Sequence, residues 1–508
     1  MDLISNLLEG FAAVFNPILL LTLLVGVLIG SIVGVLPGIG PVGAMALLLP
    51  ISFTLDPAAG LIMTSGIYLG AQYGGSTSAI LIGVPGEASS VVTTLDGYPM
   101  AKKGRAGAAL AIAALSSFLA GTLAVVLLMV VAGPLSDFAT QFASPEYLML
   151  AIFALVALSR LAGGSTIMTF AAVGLGLMLA TVGLDATSGN VRFTFGLTPF
   201  LQGIEITSVA VGLFGISEVL LLAEGRGTVQ SMPKVPFRSL LPNRTELRRS
   251  VGPAFRGGII GLVLGLIPGP SGAVSSYGSY ALEKRISKRK DEFGKGAVEG
   301  VAGPEAANNG AAGGAMVPLL VLGLPFNGPT ALLLAGFTVQ GIIPGPLFME
   351  NEPVMFWTLI AGLYAANLAL LALNLPLVGM FTSLLRIPRD LLLTFVVVIA
   401  IIGTIATRGQ LVDVFWLLVM GVIGYLMAKL GISRVAVMLA FVIAPILESS
   451  LTQTVSLSDG DPLYLFDRPI STTIIIMTAL IAIVPVVLKA IAKKRHQRSV
   501  LDLEVDAS

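Results

Sequence analysis

The sequence predicts an all-α integral membrane protein with roughly 11–13 membrane segments, in two inverted-topology repeats with broken or re-entrant helices. Three observations predict it: a shortage of charge, a succession of long apolar runs, and a glycine–proline motif that occurs twice.

Of 508 residues, 55% are hydrophobic and only 11% charged. A soluble domain carries about 25% charged residues, so this chain lacks the polar surface to cover a water-exposed globule. The formal net charge of +1 argues against a nucleic-acid partner. With no cysteine and a single histidine, thiolate chemistry, zinc catalysis and a Ser-His nucleophile have no residues to use. His496 reads as a solvated residue of a basic tail. Neither enzymatic activity nor a cofactor is expected. No Lys or Arg precedes Lys102, so the N-terminus lacks the basic region of a cleaved signal peptide.

The elements follow in order. Residues 17–36 are apolar and run into Pro37-Gly38, where the chain turns back towards residue 55. Residues 58–83 and 106–131 each meet the criterion of roughly 18–25 nearly charge-free residues, and Lys102, Lys103 and Arg105 lie between them. Residues 146–159, 166–184 and 204–222 complete a first half, 1–225, before a basic loop at 226–250. In the second half, 251–488, residues 256–282 lie between basic clusters and break at Pro268-Gly269, which predicts a helical hairpin. Crossings then follow at 309–324, 353–375, 391–407, 411–428, 435–447 and 472–488, and residues 489–508 form a tail. Placing every Lys/Arg cluster on the cytoplasmic side, among them Arg386 with Arg389 and Lys429 with Arg434, gives a consistent parity of crossings. Arg160 reads as an inside anchor.

Gly26-x3-Gly30-x3-Gly34-x2-Pro37-Gly38 recurs 231 positions later as Gly257-x3-Gly261-x3-Gly265-x2-Pro268-Gly269. Gly74, Gly83 and Pro85 recur 240 positions later as Gly314, Gly323 and Pro325. Glycine at every fourth position also suits ordinary close helix packing, but that does not explain why both ridges end in Pro-Gly. The parity opens the second hairpin to the cytoplasm and the first to the outside, which is the inverted arrangement of secondary transporters.

The run Gly38-Ile39-Gly40-Pro41-Val42-Gly43 matches a dinucleotide fingerprint, but a long apolar helix precedes it where that fingerprint needs a strand. It reads better as a break between half-helices, with Pro37, Pro41, Pro85, Pro268, Pro270 and Pro325 as breakers. Such breaks point N–H groups and a positive dipole end at an anion. Polar islands accompany both breaks: Gln72 to Ser78, with Gly74, Gly75, Ser76, Thr77 and Ser78, and Glu305 to Gly314, with Asn308 and Asn309. They are either small packing residues or the lining of a substrate path. Gly38, Gly40, Gly269 and Ser271 join them as candidate substrate contacts. Glu87, Glu305 and Glu218 are the candidate cation-coupling acids, with a transported Na+ or H+ as the ion; Glu87 also suits a solvated interface.

The stretches 34–41, 70–86 and 96–104, with 265–270, 304–309 and 322–325, resemble the large permease subunit of the bacterial tripartite tricarboxylate transporters. The resemblance covers nearly the whole chain. It implies a multi-pass permease of the bacterial cytoplasmic (inner) membrane, in contact with membrane lipid, with a small membrane subunit and a periplasmic solute-binding protein as partners. It also implies citrate or another carboxylate as solute, and an ion gradient rather than ATP as the drive; no P-loop is present. An uncoupled channel or scaffold subunit, and then an intramembrane enzyme, are the alternatives. On this reading Gly38→Val and Gly269→Val abolish transport, and Gly30→Ala is mild, costing on the order of 1 kcal/mol or less.

Overall fold

The computed structural model describes residues 3–36, 39–161, 165–185, 188–224, 241–384, 389–484 and 487. Pro37, Gly38, most of the 226–250 loop and the 489–508 tail lie outside the described residues. The first half comprises α1 (Leu3–Val14), α2 (Pro17–Val35), α3 (Gly40–Ser52), α4 (Pro57–Ile82), α5 (Val91–Met100), α6 (Ala106–Ala139), α7 (Ser144–Leu161), α8 (Thr166–Ala180), α9 (Ile206–Ala210) and α10 (Ser217–Glu224). A two-stranded ribbon, β1 (Gly183–Leu184) with β2 (Val191–Arg192), follows α8. The second half comprises α11 (Arg244–Gly265), α12 (Ser271–Ile286), α13 (Glu299–Gly314), α14 (Gly328–Val339), α15 (Phe348–Asn351), α16 (Pro353–Asn374), α17 (Val378–Leu384), α18 (Arg389–Arg408), α19 (Leu411–Lys429) and α20 (Arg434–Leu457). A last helix, α21, spans Pro469–Val484.

Six helical stretches among the described residues are long and apolar enough to cross a membrane, and shorter apolar helices accompany them. This is an all-α membrane protein. Its two central helices, α4 and α13, are not among those six: both carry polar islands, and α13 is only 16 residues long. Both are almost wholly buried. Their polar groups are shielded from lipid by the surrounding helices, which carry the apolar surface instead.

The glycine ridges explain how the central helices are held. A Cβ on Gly26, Gly30 or Gly34 of α2 would lie 2.5, 2.4 and 2.3 Å from the carbonyl oxygens of Met63, Ile67 and Ala71 in α4. On Gly257, Gly261 or Gly265 of α11 it would lie 2.2, 2.1 and 2.5 Å from those of Gly303, Ala307 and Ala311 in α13. Each ridge lets two backbones touch, and hydrogen is the only substituent that fits. This corrects the expectation for Gly30→Ala: the added methyl meets backbone, which cannot swing aside.

The hairpin expected over 256–282 is present as α11 and α12, broken at 266–270. The stretch expected as a crossing at 309–324 is helical, as the end of α13 and one π-helical turn (Pro318–Leu322), interrupted at Ala315. α13 begins earlier than expected, at Glu299, and a separate α14, for which no element was expected, follows at Gly328. Gly323, at φ +71°, ends the first piece, and Pro325 follows it within the connecting loop.

Candidate substrate site between the helix breaks

The two breaks meet. Ile39, Gly40 and Pro41 from the first, and Gly269, Pro270 and Ser271 from the second, line one cavity of about 360 Å³. Gly40 holds φ +61° and Gly269 φ +136°, conformations that glycine adopts without strain. The Gly269 N–H donates to the Phe326 carbonyl at 2.9 Å, which ties the hairpin tip to the loop before α14.

Four helices begin at this cavity. Its wall includes the first residues of α3 (Gly40, Pro41), α12 (Ser271, Gly272), α14 (Gly328, Pro329) and α20 (Arg434, Val435). No side chain caps α3 or α12, whereas Asn327 caps α14 and Ser433 caps α20. Helix N-termini carry partial positive charge and unpaired N–H groups, so four of them around one space make it favourable for an anion.

The loops after the αL glycines supply the polar side chains. Gly83 and Gly323 cap α4 and the π-turn at (φ, ψ) of (70°, 16°) and (71°, 17°). The loops that follow bring Glu87 and Ser89 from one half, and Asn327 from the other, to the cavity wall. Glu87 and Asn327 stand 240 positions apart, the same offset as the two glycines. Glu87 accepts from Asn308 Nδ2 at 2.9 Å. The hydrogen-bond pattern assigns the Gln72 amide the orientation in which Nε2 faces the carboxylate, and it then donates to both oxygens at 2.9 and 2.7 Å. Asn308 Oδ1 is buried beside Gly272 and has no hydrogen-bond partner.

The other expected site residues lie behind this wall. Gly75 makes room for Glu87, whose Cγ would sit 3.2 Å from a Cβ there. Gly74 packs on the α2 backbone, and Ser78 donates to the Gly75 carbonyl at 3.0 Å. Thr77 is buried, and Ser76 is buried beside Glu305. Glu305 accepts from Thr93 Oγ1 in the seam between the halves and does not reach the cavity. Asn309 faces away, donating to Ser117 Oγ at 2.7 Å. Glu218 also lies outside the lining and pairs with Arg434. Tyr68, Ser89, Asn327 and Arg434 border the cavity although the motifs did not single them out. The 240-residue offset from Glu87 points to Asn327. Arg434 carried only the signal of a cytoplasmic anchor.

A second, larger cavity of about 1090 Å³ lies at the C-terminal end of α14 and the middle of α20, reaching Thr338 and Phe441, with Gln202, Glu205 and Arg408 on its wall. Between the two cavities, Ala331 to Leu333 and Val437 to Leu439 are fully buried and apolar.

The model of the tripartite tricarboxylate transporter TctA family matches residues 20–439. The chain belongs to that family. It is accordingly a multi-pass membrane component of a transporter. Two relatives from Agrobacterium vitis agree in length or in part. An uncharacterized 52.8 kDa protein in the TAR-I ttuC' 3' region is 44% identical over 98% of this chain and 99% of its own length. An uncharacterized protein in the TAR-II ttuC' 3' region is 38% identical over 48% of this chain and 100% of its own. No solved structure matches.

Proposed function

We propose that this TctA-family chain is the permease subunit of a binding-protein-dependent, ion-gradient-driven secondary transporter that imports citrate-like tricarboxylates or related organic carboxylates. The convergence of four helix N-termini on one cavity carries the reading, because that arrangement favours a carboxylate without any fixed surplus of basic side chains. Glu87, with the free Asn308 oxygen beside it, is an oxygen-only ligand set suited to Na+ or H+. Co-binding of cation and carboxylate would then neutralise both charges in one place.

The halves 1–225 and 251–488 take opposite orientations in the bacterial inner membrane, with the basic loops in the cytoplasm. The apolar block between the two cavities favours alternating access over an open channel. The family works with a small membrane subunit and a periplasmic binding protein, and these are the partners proposed here.

The test is uptake of a panel of labelled carboxylates by proteoliposomes holding the permease and its small subunit, with the binding protein outside. Gradient-dependent uptake and counterflow of one acid are expected. Uptake without counterflow would leave an uncoupled channel, and no uptake of any carboxylate would overturn the reading.

A further inference from the structure

Four arginine–carboxylate pairs within the described residues are bidentate. Arg105 with Glu246 and Arg249 with Glu292 make single contacts, and Arg192 with Asp185 and Arg289 with Glu292 stand 3.9 Å apart. Arg256 holds Glu283 at 2.8 and 2.7 Å, and Arg468 holds Glu146 at 2.6 and 2.9 Å. Arg249 meets Glu299 at 2.8 and 2.7 Å, and Arg192 meets Glu448 at 2.5 and 3.1 Å. Each engages both carboxylate oxygens, the geometry of a tight bidentate pair. Arg434 and Glu218 differ. Both guanidinium nitrogens reach the same Glu218 oxygen, at 3.3 and 3.4 Å, and the shortest Arg434 contact is 2.7 Å to Ser217 Oγ.

This loose pair stands at the cavity. Among the described residues, Arg434 is the only basic side chain on the cavity wall, and Glu218 is not on that wall. The guanidinium also lies over the Phe214 ring, 5.7 Å from its centroid, and Phe214 borders the same space. A guanidinium beside a ring face, with its carboxylate partner at the margin of hydrogen bonding, keeps donors for another carboxylate. Helix N-termini serve one anionic group well. A second carboxylate on the same solute needs a further cation, and Arg434 is in place to supply it.

We propose that Arg434 selects solutes carrying two or more carboxylates, and that Glu218 is its resting counter-ion, displaced when such a solute binds. The proposal rests on the carboxylate-permease reading and adds the residue that distinguishes polyacids from monoacids. It predicts opposite signs for the two partners. Removing Arg434 weakens polyacid binding, whereas neutralising Glu218 removes a competitor.

The experiment measures KM and Vmax for citrate and succinate uptake in the reconstituted three-component system, with propionate as a competing monoacid. Arg434→Gln should raise KM for both polyacids about 10- to 100-fold, as expected for loss of a charge-assisted contact, and leave propionate inhibition unchanged. Arg434→Lys keeps the charge without the fork and should fall between. Glu218→Gln should leave KM equal or lower. The double variant Arg434→Gln/Glu218→Gln should stay as impaired as Arg434→Gln alone. Restoration of uptake in the double variant, or a raised KM in Glu218→Gln at normal protein level, would show a purely structural ion pair and overturn the proposal. A wild-type system that takes up no acid of the wider carboxylate panel would instead overturn the proposed function itself, and one that takes up monoacids but no polyacid would overturn this proposal.

Discussion

Gly83 and Gly323 stand 240 positions apart and hold the same left-handed backbone conformation, within one degree in both φ and ψ. Each stops a helical stretch and launches the loop that carries a polar side chain, Glu87 or Asn327, to the cavity. An added Cβ would lie 2.8 Å from the Tyr98 ring at Gly83 and 2.6 Å from the Pro344 carbonyl oxygen at Gly323. Alanine at either position should therefore destabilise by more than the about 1–2 kcal/mol that the left-handed region costs an L residue. Thermal unfolding of the purified variants checks this. Unchanged midpoints would show that the loops tolerate another geometry.

Glycine-ridge substitutions should separate by contact rather than by position on a helix. Gly30→Ala and Gly261→Ala push a methyl into backbone and should lower the amount of folded protein in the membrane. Gly174→Ala and Gly278→Ala, where nothing lies within 4 Å, should be neutral or stabilising by up to about 1 kcal/mol, the usual helical preference for alanine. Quantifying detergent-extracted protein by size-exclusion fluorescence compares the four directly.

Glu87 and Asn308 are predicted to act on the ion rather than on protein level. Glu87→Gln keeps one acceptor oxygen for Gln72 and Asn308 but loses the charge, so uptake should lose its dependence on the driving cation. Asn308→Ala should raise the cation concentration needed for half-maximal uptake. Ion titrations at saturating solute measure both, and an unchanged ion response in Glu87→Gln would remove this acid from the coupling site.

Thr93 and Glu305 join the two halves through a buried hydrogen bond. Thr93→Val keeps the shape and leaves the acid short of a donor, at an expected cost of about 1–3 kcal/mol. Thermal unfolding tests it: a midpoint equal to wild type would mean that Glu305 finds another partner.

The proposed opposed orientation of the halves makes its own prediction. In this cysteine-free chain, single cysteines at Arg244 and Lys290 should resist an impermeant thiol reagent in intact cells, while those at Asn190 and Asp459 react. Labelling at Lys290 from outside would defeat the inverted arrangement.

Much of this molecule is written in local sequence. Hydropathy and the scarcity of charge determine that the chain lives in a membrane as helices, since a bilayer demands internally satisfied backbone. The paired Gly-Pro motifs and the 240-residue offset mark the helix breaks and their partners, because a missing donor or a positive φ is a property of one residue and its neighbours. Which polar residues share the cavity was decided only by tertiary packing. Asn308 and Asn309 are adjacent, yet successive side chains on a helix diverge by about 100°, so one reaches Glu87 and the other Ser117. Helix α14 was hidden in the stretch between the crossings read at 309–324 and 353–375. Arg434 looked like an anchor in a basic cluster until α20 placed its first turn at the cavity that α3, α12 and α14 also border. A charge near a helix end has the same local signature whether it faces water or a substrate, and only the neighbouring helices determine which it meets.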